Sequence, residues 1–158
     1  MKAIPGGHNL FVPDNEVSKK IENLYNRFKI MLVKRDDSSK NTVTKLLKAI
    51  DEELTRKGSR FLTGNTLCCF DTELMPKLQH IRVAGKFLVD YEIPREFKSL
   101  WKYIREMYKL EAFTQSCPAD QDIINMYKMQ QQAVFQRMKS YEELEKPSYT
   151  TSVPNEVA

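Results

Sequence analysis

The sequence predicts an all-α fold, a bundle of helices, and three observations point to it. Apolar residues recur at alternating spacings of three and four along five segments, which is the pattern of a helix with one buried face. Residues that start and stop helices flank those segments, and no segment alternates convincingly with a period of two. A length of 158 residues, with 41% hydrophobic and 29% charged residues, fits one globular domain with its own core.

The first two predicted helices each carry one apolar stripe between polar ends. The first begins after Asp14, a good N-cap residue, and ends near Lys34 and Arg35. Its stripe consists of Val17, Ile21, Leu24, Phe28 and Met31. A polar break at 36–39 precedes the second helix, which Gly58 ends. The second stripe consists of Val43, Leu46, Leu47, Ile50 and Leu54.

A third helix is predicted from Cys69 to about Val89, after a tight turn at Gly64 and Asn65. Pro76 lies inside it and is expected to kink the helix or to open its first turn. The inward stripe consists of Phe70, Leu74, Leu78, Ile81 and Gly85.

Two further helices and a tail complete the prediction. Pro94 is predicted to begin the fourth helix, and Pro118 to occupy the first position of the fifth. Their apolar positions are Phe97, Leu100, Trp101, Ile104 and Tyr108, followed by Ile123, Tyr127 and Val134. After Glu145 the chain loses all periodicity, which predicts a flexible tail at 146–158.

Composition excludes several classes of function. A net charge of +4, from 25 basic and 21 acidic residues, comes without a long basic block, so no nucleic-acid partner is predicted. Three cysteines, an odd number, favour a reducing compartment such as the cytoplasm. No signal peptide is expected. The longest apolar runs, 30–33 and 67–70, have four residues, whereas a membrane span needs about 20.

The segment 60–78 (RFLTGNTLCCFDTELMPKL) resembles the part of the glutathione-transferase fold where a capped turn opens the central buried helix. In that fold a Ser or Thr caps the helix, and an Asp three residues later reaches back to the backbone N–H of the cap residue. Here Asp71 occupies the acidic position and Cys68 stands in place of the hydroxyl residue. Because a thiol is a weak acceptor, this structural cap is predicted to be weaker than a hydroxyl version.

Further motifs are similar to those of the chloride intracellular channel family. They are ELMPKL at 73–78, the Ile93-Pro94 pair before an aromatic-rich helix, and FTQSCPAD at 113–120. The resemblance is strongest over 60–127 and is specific because several separate motifs recur in the same order. Vertebrate members carry a long acidic loop before the capped turn, which only residues 57–59 fill here, so the invertebrate type is implied. Some relatives carry a basic nuclear-import stretch just before the Ile-Pro pair. Residues 82–87 occupy that place here, and their basic residues are more widely spaced, so nuclear import is not carried over.

The resemblance implies a domain organisation and a set of partners. Residues 1–13 would be the linker from a missing N-terminal thioredoxin-like domain, and 14–145 the C-terminal all-helical domain of a glutathione S-transferase fold. In this family the glutathione-facing cysteine and the segment proposed to enter membranes belong to that N-terminal domain. The resemblance therefore implies no catalytic residue and no cofactor in this chain. Glutathione is implied as a cofactor of the intact protein, with the missing domain, membranes and other proteins as partners.

Three functions remain open. The resemblance first implies a cytoplasmic, membrane-associating protein with chloride or anion transport, or glutathione-linked oxidoreductase activity, in its intact form. The second is the substrate-site domain of an omega-like glutathione transferase or dehydroascorbate reductase. The third is a protein-interaction module that uses the bundle face and the tail. No catalysis is expected from this chain alone.

The candidate reactive groups are two cysteines that each precede an aspartate by three residues. Cys68 precedes Asp71, and Cys117 precedes Asp120. A thiol at a helix N-terminus can have a lowered pKa, which makes Cys68 and Cys117 candidate redox-sensitive thiols. The neighbouring carboxylates disfavour a thiolate, however, so a structural role as small buried residues is the favoured interpretation.

Other side chains give weaker indications of chemistry. His80 lies off the inward stripe and is interpreted as solvated, and no metal site is predicted because ligand spacings are absent. Trp101, together with the aromatic residues on its stripe, could line an apolar ligand groove, but the helical spacing favours core packing. The basic pairs at 34–35 and 56–57 are interpreted as solvated helix ends, because without a polybasic cluster each charge adds only about 1 kcal/mol of lipid binding.

Overall fold

The computed structural model describes residues 15–132 and 146–155, and within these ranges all regular structure is helical, with no strand. The six helices are α1 (Asn15–Lys34), α2 (Asp37–Lys57), α3 (Cys69–Val89), α4 (Lys98–Tyr108), α5 (Glu111–Ser116) and α6 (Asp120–Gln132). The predicted all-α class is confirmed. The predicted linker at 1–13, the Asp14 cap and Val134 lie outside the described residues.

The helix α3 lies at the centre of the bundle and packs against α1, α4 and α6. More than half of its residues are buried, including polar ones, and the side chains of Leu74, Leu78 and Ile81 are fully inaccessible. A helix that is apolar on several faces can be stable only when other helices surround it. The helix continues through Pro76 to Val89, and its predicted bounds are those of the structure.

The first two helices form an antiparallel pair whose ends have clear local causes. The carboxylate of Asp36 accepts from the Ser39 N–H at 2.7 Å, which caps α2. Asp37 and Ser38 therefore form the first turn of α2, so the polar break is shorter than the sequence predicts. At the other end Gly58 adopts a left-handed conformation (φ 59°), and its N–H donates to Leu54 O at 3.0 Å.

The predicted start of the fourth helix at Pro94 is wrong, because α4 begins at Lys98. The Pro94 carbonyl oxygen accepts from the Phe97 N–H at 3.3 Å and from Trp101 Nε1 at 3.0 Å. The first of these bonds spans three residues and closes a turn, so Pro94 opens a turn before the helix.

The predicted start of the last helix at Pro118 is also wrong. The carbonyl oxygen of Ala119 accepts from the N–H groups of Asp122 and Ile123 at 3.0 and 3.2 Å, so α6 begins at Asp120. The short helix α5 precedes it and was not predicted. None of the six residues of α5 is buried, so there is no apolar stripe to indicate a helix there.

Residues 146–155, called the strap below, belong to the segment predicted as a flexible tail. They lie against α3 and α6, where Ser148 O accepts from the Asp120 N–H at 2.9 Å and Thr150 O accepts from Gln79 Nε2 at 2.8 Å. The side chain of Val153 packs against the core. Hydrogen bonds to strap carbonyls need no particular strap side chain, which is why the sequence pattern did not indicate them.

Candidate functional site

The two predicted cap residues meet at the N-terminus of α3. Cys68 is the N-cap residue, with extended backbone, and its N–H donates to Asp71 Oδ2 at 2.9 Å. The return contact, from the Asp71 N–H to the Cys68 sulfur, is weak because a thiol is a poor acceptor. The same N–H also donates to the Cys68 carbonyl oxygen at 3.1 Å. The Asp71 carboxylate is therefore the stronger half of this cap.

The Asp71 carboxylate makes two further contacts that the sequence did not reveal. Its Oδ1 atom accepts from the Leu62 N–H at 3.1 Å and from the Tyr103 hydroxyl at 2.9 Å. Asp71 is fully buried, and a buried carboxylate needs several donors to offset its lost hydration. Burial, and next the charge of Asp71, raise the pKa of Tyr103 well above its usual range, so this hydroxyl stays a donor. One side chain thus joins the loop before α3, the start of α3, and α4.

The surroundings of the Cys68 thiol favour its protonated form, although a hydrogen bond with Thr63 acts in the opposite direction. Cys68 is only 1% exposed, and burial is the main cause that raises the pKa of the thiol. The nearby Asp71 carboxylate acts in the same direction. Because the thiolate is the reactive form, these surroundings favour the structural role over the redox role.

Cys117 is half-buried and does not repeat the arrangement at Cys68. It follows the last residue of α5, and Asp120 is the first residue of α6, so Cys117 is not the N-cap of α6. The Asp120 carboxylate instead accepts from Thr150 Oγ1 of the strap at 2.7 Å. Burial, and then the charge of Asp120, raise the pKa of the Cys117 thiol. The expectation that Cys117, like Cys68, stands directly at a helix N-terminus is therefore wrong.

His80 and Cys117 line the same pocket, a space of about 90 Å³ among α3, α5 and the connection that follows α5. The interpretation of His80 as solvated is wrong. The residue is half-buried, and its Nδ1 atom lies 2.8 Å from the Tyr127 hydroxyl oxygen. Burial lowers the pKa of His80, which favours the neutral ring.

A chain of hydrogen bonds continues from His80 across three helices. The Tyr127 hydroxyl oxygen of α6 lies 3.0 Å from the Tyr25 hydroxyl oxygen of α1. Burial, followed by the contact with Tyr25, raises the pKa of Tyr127. The amino groups of Lys29 and Lys77 lie 5.0 and 5.9 Å from the centre of the Tyr25 ring. The sequence could not indicate this chain because its members lie far apart along the sequence.

The aromatic stripe of α4 packs into the core. Phe97 and Trp101 are 6% and 3% exposed, and Tyr108 is half-buried. The guanidinium of Arg82 lies 5.0 Å from the Trp101 ring and 5.4 Å from the Tyr108 ring, a cation–π arrangement. Burial is the main cause that raises the pKa of Tyr108 to about 12. These side chains fill space between helices, as the core-packing interpretation predicts.

Basic side chains at the predicted helix ends have protein partners. The Arg56 guanidinium and the Lys57 amino group lie 2.7 and 3.2 Å from Glu53 Oε1. This pairing, in which the hydrogen bond from Arg56 is the largest cause, lowers the pKa of Glu53 to about 2. Arg35 donates to Gln131 Oε1 at 3.1 Å. These contacts support the interpretation of the pairs as helix ends.

Among residues 15–132 and 146–155, no group of three or more His, Cys, Asp and Glu side chains is arranged to hold a metal ion. Within the same ranges, none of the helices combines the length and the apolar character that crossing a bilayer requires.

Comparison with known proteins gives one consistent result. No protein-family model matches the chain. The chain is 57% identical over 158 residues to the chloride intracellular channel Clic of Drosophila melanogaster, an alignment that covers all of this chain and 60% of the relative. It is 40% identical over 167 positions to the chloride intracellular channel exc-4 of Caenorhabditis elegans, covering 94% of this chain and 57% of that relative.

A solved structure agrees with the sequence relatives. The crystal structure of the homologue EXC-4 from Caenorhabditis elegans matches with a TM-score of 0.85 and 38% identity, covering 94% of this chain and 60% of the other. The chain therefore spans about 60% of the length of these relatives. Both the sequence and the fold of the helical bundle are similar to that part of them.

Proposed function

We propose that the chain belongs to the chloride intracellular channel family, as the helical domain of a chloride intracellular channel-like protein. The observation that carries the proposal is the similarity along the whole chain, 57% identity with the fly relative over 158 residues. The named relatives are channel-family proteins, which favours this function over that of an omega-like transferase.

In this proposal the helical domain supplies a scaffold, and the reacting groups lie elsewhere in the intact protein. The raised pKa values of Cys68 and Cys117 support this division, because both thiols are held in their unreactive form. The buried bonds of Asp71 support it as well, since they engage both carboxylate oxygens in fixing the entry to α3. A thioredoxin-like domain preceding the linker would be the partner that docks on this scaffold.

The activity proposed for the intact protein is chloride or anion transport at membranes, with glutathione-linked redox chemistry as the second activity. The printed names of the fly and worm relatives support the first. Glutathione would then be bound outside this chain. The intact protein would be cytoplasmic and would associate with membranes.

Chloride release from vesicles tests this function. The part of the Drosophila relative that precedes the matching region is joined to this chain, and the chimera is added to chloride-loaded vesicles. The proposal predicts release at a rate similar to that of the intact relative, because the scaffold is equivalent. This chain alone is expected to release none.

The controls separate the scaffold from the transport step. The fly segment without this chain tests whether the scaffold is needed, and a glutathione-dependent disulfide reduction assay on the same chimera tests the redox activity. If the intact relative releases chloride while a folded chimera does not, the proposed equivalence is wrong.

A further inference from the structure

The strap binds the bundle through the backbone of alternate residues. The backbones of Ser148, Thr150 and Ser152 bond to α3 or α6, whereas the intervening Tyr149 side chain is 53% exposed. The Thr151 N–H donates to Tyr149 O at 3.0 Å, which closes a tight turn around Thr150.

Thr150 is at the centre of this contact, and all three of its polar groups are bonded. Its N–H donates to Asp120 Oδ1 at 3.0 Å, and its hydroxyl donates to Asp120 Oδ2 at 2.7 Å. Its carbonyl oxygen accepts from Gln79 Nε2 at 2.8 Å. The carboxylate of Asp120 thus accepts hydrogen bonds from both the backbone N–H and the side-chain hydroxyl of one residue. This arrangement selects Thr or Ser at that position.

The receiving side chains are held in place by the bundle itself. Gln79 is 1% exposed, and its Oε1 atom accepts from the Tyr108 hydroxyl at 2.6 Å, which turns its amide N–H groups toward the strap. Arg82 is held against the rings of Trp101 and Tyr108, and donates to Ser152 O at 2.9 Å. Preorganised donors lower the entropic cost of binding a peptide.

The flanking contacts extend the same pattern. Ser148 O accepts from the Asp120 N–H at 2.9 Å, and the Ser148 N–H donates to Gln121 Oε1 at 3.1 Å. Val153 is the strap residue that packs against the core cluster, and it stays partly exposed. The strap is therefore held mainly by polar contacts that a peptide of the same pattern can reproduce.

We propose that this strip of α3 and α6, defined by Gln79, Arg82, Asp120 and Gln121, is a peptide-binding groove. Its ligand is a peptide segment with Thr at the central position. The strap fills the groove in cis, and a segment of another protein with this pattern binds it in trans when the strap leaves.

Fluorescence anisotropy of a labelled peptide of residues 146–155 tests the proposal with the full chain. In the variant Thr150→Asp, the new carboxylate faces that of Asp120, so the strap leaves the groove. The peptide is expected to bind this variant at least roughly tenfold more tightly than the unchanged chain, where the tethered strap competes at an effective concentration on the order of millimolar. The variant Thr151→Asp is the matched control, since the backbone bond of Thr151 goes to Tyr149 O within the strap, and it is expected to behave as the unchanged chain.

Peptide variants test the specificity of the groove. Replacing Thr150→Val in the peptide removes the hydroxyl donor to Asp120 and is expected to weaken binding roughly tenfold or more. Replacing Thr151→Val is expected to change nothing. If circular dichroism shows that the Thr150→Asp chain has lost helix, the Thr150→Val chain takes its place.

Two results would overturn the proposal. One is a folded variant chain that binds no peptide, or binds the unchanged peptide and its Thr150→Val form equally. The other is a dimer of the unchanged chain that dissociates when Thr150 is replaced, because the groove would then hold the strap of a second copy.

Discussion

Asp71 is fully buried, and its two carboxylate oxygens accept three hydrogen bonds from three segments. The bond to the Cys68 N–H was predictable, because a cap residue and its acidic partner stand three positions apart in the sequence. The bonds from Leu62 and Tyr103 were not, since those donors lie nine and 32 positions away. Contacts of this kind depend on how the helices pack, which a sequence pattern does not contain.

Replacing Asp71→Asn tests the importance of this carboxylate. The variant keeps the shape of the side chain but loses its charge. It also places an NH₂ group against at least one of the donors that now bond to the carboxylate. We expect a loss of about 2–4 kcal/mol in the free energy of unfolding, since hydrogen bonds to charged groups contribute about 1.5–3 kcal/mol each. Denaturant unfolding followed by circular dichroism measures it.

The matched control for this variant is Asp122→Asn, in the exposed first turn of α6. That carboxylate lies in the favourable field of the helix dipole, so its loss is expected to cost less than about 1 kcal/mol. Equal unfolding midpoints for the Asp71 and Asp122 variants would contradict the role given to Asp71.

The thiols give a second prediction at this scale. Burial raises the pKa values of Cys68 and Cys117, so both are expected to react with iodoacetamide more slowly than a cysteine in a short peptide under the same mildly alkaline conditions. Mass spectrometry of digested samples measures each rate separately. A rate above that of the free peptide at Cys117 would restore the redox hypothesis for that residue.

His80 gives a pH dependence whose sign follows from its lowered pKa. The unfolded chain binds a proton at His80 below about pH 6.5, whereas the folded chain holds the ring neutral to a lower pH. Unfolding therefore takes up a proton in that window, and the contribution of His80 to stability falls as the pH falls. The melting-temperature difference between the unchanged chain and His80→Gln should shrink from about pH 7.5 to about pH 5.5. A difference that stays constant or grows would contradict the burial of His80.

At the scale of single elements, periodicity predicted α1, α2 and α3 well because each contains a buried apolar stripe with helical spacing. It failed where burial is not periodic. The helix α5 buries no residue, and the strap is held through backbone groups. The starts of α4 and α6 were placed too early because a proline that opens a turn and a proline at the first helical position look the same in sequence.

The end of α2 gives a prediction about one element. Gly58 has a φ of 59°, and nothing lies within 4 Å of an added Cβ, so the replacement Gly58→Ala changes only the backbone energy. We expect a loss of about 1 kcal/mol. Thermal unfolding measures it, with Lys45→Ala on the exposed face of α2 as the control. A melting temperature for Gly58→Ala no lower than that of the control would contradict the left-handed conformation.

At the scale of the whole molecule, the core forms one cluster that reaches from α1 to α6, with α3 inside it. The resemblance of the segment 60–78 to the glutathione-transferase fold indicated that α3 is central. Motifs that recur in order along the chain also indicated its relatives, and the similarity to the chloride intracellular channel proteins of the fly and the worm agrees. The chain of hydrogen bonds from Tyr25 to His80 was beyond sequence reasoning, because three helices must pack before these groups meet.

Burial of α3 within a bundle entered through Asp71 is the feature on which the scaffold role depends, and amide hydrogen exchange measures it most directly. Exchange at neutral pH, followed by mass spectrometry, should show the amides of α3 as the slowest, opening only with global unfolding, and those of α5 as much faster. In the Asp71→Asn variant, the free energy of opening measured at the α3 amides should fall by the same amount as the free energy of unfolding. Amides of α3 that exchange as fast as those of α5 in the unchanged chain would contradict a bundle built around α3.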